Sequence, residues 1–101
     1  MIDIIGQIPV HSLYVGSRDG SPFSAADRQA VIDTAAASFD CFTAIDADGY
    51  FEGRNVATLI IKIATDDDAS VEALGLDLGL LLEQQAIGLE TAGYYKSIAM
   101  G

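Results

Sequence analysis

Between Val56 and Thr65 the chain keeps a period of two, and this run limits the fold more than any other segment. Ala57, Leu59, Ile61 and Ile63 make one wholly apolar face; Val56, Thr58, Ile60, Lys62 and Ala64 make a mixed one. An extended strand puts alternate residues on opposite sides, so this is a strand with one face turned to a core. Asp66, Asp67 and Asp68 follow, and then the period changes. Val71, Leu74, Leu78, Leu81, Leu82 and Gln85 recur at helical spacing. A strand with one apolar face, followed at once by a helix with one apolar stripe, calls for helix packed on sheet.

The remaining segments extend that pattern. Ile8 to Val15 reads as a strand, with Val10, Ser12 and Tyr14 on one side and His11, Leu13 and Val15 on the other. The turn formers Gly16 to Pro22 end it. Ser24, with Asp27 three residues on, forms a capping box and opens a helix over about Ala25 to Ser38. Val31, Ala35 and Phe39, flanked by Ile32 and Ala36, give that helix its packing face. Cys41 to Ala47 alternates again, with Thr43, Ile45 and Ala47 sharing a side. Asp48-Gly49 is a strong turn signal and Gly53 marks a second break, which predicts an antiparallel hairpin with a long, irregular tip. Gly75 and Gly79 cost the second helix about 1 kcal/mol each against Ala. Their spacing leaves bare backbone where another element approaches. Ala86 to Glu90, a turn near Thr91-Ala92-Gly93, and Tyr94 to Met100 close the chain.

The order is β-α-β-β-α-β with one extra short strand. It predicts an α+β fold, the ferredoxin-like plait, with an antiparallel sheet and two helices on one face. The second face of such a sheet is open and here carries Tyr14, Ile60 and Val56. An apolar patch of this kind predicts a homodimer or higher oligomer.

Length and charge narrow the function classes. The 101 residues fit one domain spanning 1–101. Fifteen acids against five bases give a net charge of −10, which excludes a direct binder of the nucleic-acid phosphate backbone. A lone Cys41 excludes an internal disulfide and fits a reducing compartment. Met1 to Gly6 has no basic region ahead of its short apolar run, and no window approaches a membrane span. The expected location is the cytoplasm, or the host cytoplasm for a phage product.

Leu13-Tyr14-Val15-Gly16-Ser17-Arg18-Asp19-Gly20, followed by Phe23-Ser24, resembles the opening of an uncharacterised family of small bacterial and phage α+β proteins. That family pairs an L-Y-x-G strand and an S-R-x-x-G turn with a helix. Thr43-Ala44-Ile45-Asp46-Ala47-Asp48-Gly49-Tyr50-Phe51 is similar to its T-x-x-D-A-x-G-x-aromatic hairpin, and Gln84-Gln85-Ala86-Ile87 is a third echo. The resemblance spans about Leu13 to Leu89. It implies the plait and no established activity. Glu52 stands where basic residues are usual after the hairpin aromatic, which speaks against an anionic ligand.

Several side chains have a chemical reading beside a structural one. Asp66, Asp67 and Asp68 have the oxygen ligands for a hard cation, but consecutive residues diverge, which favours a helix cap. Asp46, Asp48 and Glu52 miss the twelve-residue calcium-loop pattern and read as a hairpin turn. His11 and Cys41 would form a base and nucleophile pair if neighbouring strands brought them together, with no third orienting group in sight. Arg18 suits a carboxylate or phosphate, or a local ion pair with Asp19 or another acid. Gly6, Gly16 and Gly20 do not make a phosphate loop. Tyr94 and Tyr95, beside Lys96, alternate sides, so that one at most faces a ligand, and burial at the sheet end is expected of them. Gly75-x-x-x-Gly79 permits close packing on the sheet.

These readings favour a small acidic, non-enzymatic interaction protein with no catalytic residue, metal or cofactor. Its negative field would speed encounter with a basic, nucleic-acid-binding surface of another protein. A phage-encoded inhibitor of a host defence complex, in the style of anti-CRISPR proteins, fits that size and charge. The partner-binding residues expected are Asp46, Asp48, Glu52, Asp66, Asp67 and Asp68. The alternatives are a small-molecule-binding or catalytic ferredoxin-like dimer, with a pocket beside His11 and Arg18, and a structural subunit.

Overall fold

A computed structural model describes residues 8–100 of the chain. The reading of Met1 to Gly6 lies outside them. The elements run β1 (Val10–Gly16), α1 (Ala25–Ala36), β2 (Thr43–Phe51), β3 (Arg54–Ala64), α2 (Asp68–Leu81), β4 (Ala86–Thr91) and β5 (Tyr94–Ala99). All four strand pairings are antiparallel, in the order β2-β3-β1-β4-β5. The expected α+β fold is therefore present: a ferredoxin-like plait with β5 added at one edge. Among the described residues no helix is long and apolar enough to cross a membrane.

The core lies between sheet and helices, where the two periodicities place it. Leu13 and Val15 of β1, Leu59, Ile61 and Ile63 of β3, and Ile87 and Leu89 of β4 face Val31 and Ala35 of α1 and Val71, Leu74, Leu78 and Leu82 of α2. Each of these residues is at most 2% exposed, so each large side chain contributes roughly 1.5–3 kcal/mol of burial. Both helices start on the expected caps. Ser24 Oγ accepts from the Asp27 amide at 3.0 Å. Asp67 accepts from the Ser70 amide at 3.0 Å and from the Ser70 hydroxyl. Those bonds hold the Asp67 carboxyl below the usual carboxylate range. The bare backbone of α2 receives the last strand: a Cβ on Gly75 would lie 3.1 Å from Ile98 Cδ1 and 3.3 Å from Leu13 Cδ2, and one on Gly79 would strike Met100.

The hairpin differs from expectation. Asp48-Gly49 lies within β2, paired with Ala57 and Val56, and the strand runs on to Phe51. The turn is Glu52-Gly53, both left-handed, with φ of 51° and 77°. Two consecutive positive φ values give a two-residue turn whose twist matches its strands, so the tip is tight and regular. The second hairpin, β4–β5, turns the same way on Ala92-Gly93, with φ of 52° and 80°.

Candidate functional site

The face of the sheet away from the helices carries a groove of about 700 Å³, within the size range of small-molecule sites. Strand parity brings it about. With Leu59, Ile61, Leu13 and Ile87 turned to the core, Thr58, Ile60, Tyr14 and Gly88 must face the other way. The floor is made of small residues from neighbouring strands, including Gly16, Ala47, Thr58, Ala86, Gly88 and Ser97. Tyr50 and Phe51 of the β2–β3 hairpin bound one side. The segment after α2, Glu83-Gln84-Gln85, bounds another.

That segment is tied down by the turn after β1. Glu83 takes a left-handed φ of 56° as α2 ends. Gln84 Nε2 then donates to the carbonyls of Ser17 at 3.1 Å and Leu82 at 3.2 Å. Gln84 Oε1 lies so near Gly16 that a Cβ there would sit 3.0 Å from it. Arg18 donates to Asp27 Oδ2 at 3.0 Å and to the carbonyl of Leu81 at 3.0 Å, and pairs with Glu83 at 3.3 Å. The guanidinium thereby meets free carbonyls at the C-terminal end of α2, where a cation is favoured.

At the other side of the groove stand Tyr14 and Tyr95. Tyr14 Oη donates to Glu90 Oε1 at 2.7 Å. That bond is the main reason the phenol's pKa is raised, with burial and the Glu90 charge adding to it. Tyr14 therefore stays a neutral donor well into alkaline solution. The Tyr95 ring meets Tyr14 edge to face, with centroids 5.9 Å apart and planes at 62°. It lies across Gly88, where any Cβ would collide with it. Two acids, Glu83 and Glu90, thus stand in or beside the groove, with Arg18 engaged by Asp27, the Leu81 carbonyl and Glu83; Asp48, paired with Ala57, turns its side chain to the helix face.

The six expected partner residues do not form one surface. Asp46 is held by Arg28 of α1, whose Nε and Nη2 reach its two oxygens at 3.2 and 3.0 Å and depress its pKa. Asp48 is paired with Ala57 and so turns its side chain to the helix face, beside Asp46 and Arg28. Glu52 occupies the hairpin turn, while Asp66, Asp67 and Asp68 lie past the opposite end of β3. Asp67 caps α2, and Asp68 Oδ1 lies 3.4 Å from His11 Nε2. His11 and Cys41 are not brought together: β3 stands between β1 and β2, His11 is buried against the Thr65 carbonyl at 3.0 Å, and Cys41 is exposed. A pocket beside His11 is also not found, since His11 faces the helices and the groove lies on the other face. Arg18 does line the groove. Tyr94 and Tyr95 are 78% and 65% exposed, so the expected burial fails, although they do take opposite faces. Among the described residues no three His, Cys, Asp or Glu side chains are grouped to hold a metal ion.

The fold and groove define a class, an α+β plait with a ligand-sized hollow on its open sheet face. No family model matches the chain, and no curated protein matches it. Among solved structures it is similar to a phage SAM lyase in the apo state, at a TM-score of 0.68 and 17% identity, covering 98% of this chain and 95% of the other. At that identity the likeness shows a shared fold. It also overturns the expectation of a non-enzymatic, anti-CRISPR-like inhibitor: a protein matched over nearly its whole length is an enzyme. The physical reason is the groove. Net negative charge calls for a positive partner, but it does not set the size of that partner.

Proposed function

We propose that this chain is an enzyme of the lyase class that binds S-adenosylmethionine in the open-face groove and cleaves a carbon–sulfur bond of its sulfonium centre. The observation that carries the reading is the groove itself: a small-molecule-sized hollow with Tyr14, Tyr95 and two carboxylates, Glu83 and Glu90, in or beside it, in a chain of net charge −10. S-adenosylmethionine is a monocation at neutral pH, so the field of the whole molecule favours its approach. The lyase of the same fold supports the choice of this cation among others.

Lyase cleavage needs no water as reactant. The electron pair of the broken C–S bond passes to sulfur, which leaves as a neutral thioether, while an oxygen of the substrate's own carboxylate bonds to that carbon and closes a lactone, so that no proton or outside group is required. The protein's task is to hold the substrate in one conformation and to keep water from the carbon under attack. The small side chains of Ala47, Ala86 and Ser97 leave room for a planar base over the strands, and Tyr14, whose one O–H goes to Glu90, holds that carboxylate at the edge of the groove.

Incubating the purified chain with S-adenosylmethionine and separating products by mass spectrometry tests this. The expected result is a neutral adenosyl thioether, formed at a rate proportional to protein. In water enriched in ¹⁸O, the amino-acid fragment should carry no label at the earliest times. Substrate loss no faster than in buffer would refute the activity, and early ¹⁸O incorporation would make the enzyme a hydrolase.

A further inference from the structure

Three side chains from three neighbouring strands converge around Gly88. Tyr14 is opposite Gly88 in the β1–β4 register, and Tyr95 is opposite Glu90 in the β4–β5 register. Each ring then leans along its strand. Tyr14 reaches toward Glu90 and donates to it at 2.7 Å, while Tyr95 leans over Gly88 until the two rings meet at 5.9 Å. Glu90 uses one oxygen for the phenol. Among the described residues no Lys, Arg or His lies within ion-pair distance of it. The outcome is a carboxylate without a counter-ion beside two aromatic rings, one of them 65% exposed.

That combination suits one kind of positive charge. An ammonium or guanidinium directs N–H donors at acceptors, and Arg18 and Arg28 find carboxylates elsewhere in this molecule. A sulfonium has no N–H. Its charge is spread over sulfur and the attached carbons, and it is stabilised by ring faces and by a carboxylate at short range. Building on the reading of the groove as an S-adenosylmethionine site, we infer that Tyr14, Tyr95 and Glu90 are its charge-reading end. They select onium cations over neutral thioethers of the same shape. Glu90 supplies the charge, Tyr95 the ring face, and Tyr14 acts through Glu90 as the residue that positions it. The same end then promotes product release. Once the C–S electron pair has moved to sulfur, the bound fragment is neutral and nothing there holds it.

The test is a titration of ¹⁵N-labelled protein, read by amide shifts at early times, with three probes: S-adenosylmethionine, S-adenosylhomocysteine and trimethylsulfonium. S-adenosylmethionine should bind about tenfold or more tightly than S-adenosylhomocysteine, whose sulfur is neutral, and trimethylsulfonium should shift the amides of Gly88 and Tyr95. Tyr95→Leu and Glu90→Gln should each weaken S-adenosylmethionine by about three- to tenfold and leave S-adenosylhomocysteine unchanged. Tyr95→Phe, which keeps the ring face, should retain the preference; native-like amide spectra establish that each variant is folded. Equal affinity for the two adenosyl probes, or variants that weaken both alike, would overturn the inference. Charge selectivity without cleavage would sustain it while refuting the lyase reading. Cleavage without charge selectivity would do the reverse.

Discussion

Gly88→Ala separates the groove from the stability of the fold. Gly88 lies in β4 between Ile87 and Leu89, both core residues, and its missing side chain would point into the groove. Replacing a strand glycine with alanine removes unfolded-state freedom worth about 0.4–1 kcal/mol. Against this, the new Cβ would lie 2.7 Å from two Tyr95 ring carbons and closer still to the hydroxyl, so Tyr95 must swing away. Tyr95 is 65% exposed, so its ring has solvent to move into. The move gives up the edge-to-face contact with Tyr14, worth about 0.5–1.5 kcal/mol. The two terms nearly cancel, and the variant should unfold within about 1 kcal/mol of the parent, a shift of roughly 8 °C or less for a domain of this size. Its affinity for S-adenosylmethionine should fall as it does in Tyr95→Leu. Thermal unfolding by circular dichroism, run beside the binding titration, reads both. A variant that loses more than about 2 kcal/mol would show that Tyr95 is pinned by the fold. Unchanged binding would show that Tyr95 has no part in the site.

Other outcomes follow from the same geometry. Arg18→Ala removes three contacts that join the first turn of α1, the end of α2 and Glu83; it should destabilise by about 1–2 kcal/mol in urea unfolding. Glu52→Gly relieves a left-handed non-glycine residue in the β2–β3 turn and should stabilise by about 1 kcal/mol. Asp67→Ala should lower the melting temperature at neutral pH, because the α2 cap is lost. The Asp67 pKa is depressed in the fold, so its contribution is present above the ordinary carboxylate range. That contribution fades as pH falls through the folded pKa, and the gap between the two proteins should close in acid. Tyr14 carries a raised pKa, so its contribution is complete below the ordinary phenol range and is lost as pH rises through the folded value. Ultraviolet titration should show Tyr14 ionising above the ordinary phenol range, and Glu90→Gln should reduce that shift.

How much of this was legible in the residues depends on how local each feature is. The faces of β3 and the stripe of α2 follow from spacing alone: Leu59, Ile61 and Ile63 and Val71, Leu74, Leu78 and Leu82 are in the core, while Ala57 is half-buried, Leu81 packs at the core's edge and Gln85 lies exposed past the helix end. Asp48-Gly49 misled because turn propensity is a local preference, while β2 is held straight through it by pairing with Ala57 and Val56. The turn that forms uses Glu52, a residue with little preference for a left-handed φ. Parity put Tyr14 on the open face. Nothing in the sequence brought Tyr95 to it, since that needs β5 beside β4 and β4 beside β1, neighbours set by the order of the whole sheet. The alternation of Tyr94 and Tyr95, taken together with Gly88, was the available signal. The net charge did point to a positive partner, but it is a property of the whole chain and says nothing of where that partner sits.

Under the proposed function, the open sheet face of this chain holds S-adenosylmethionine. Saturation-transfer and amide-shift mapping on the unmodified protein address it directly. Perturbations are expected at Tyr14, Gly16, Ala86, Gly88 and Tyr95, with the buried helix residues Val31 and Leu78 unmoved. A perturbation centred on the helix layer or on the Asp66–Asp68 end, or none at millimolar ligand, would contradict it.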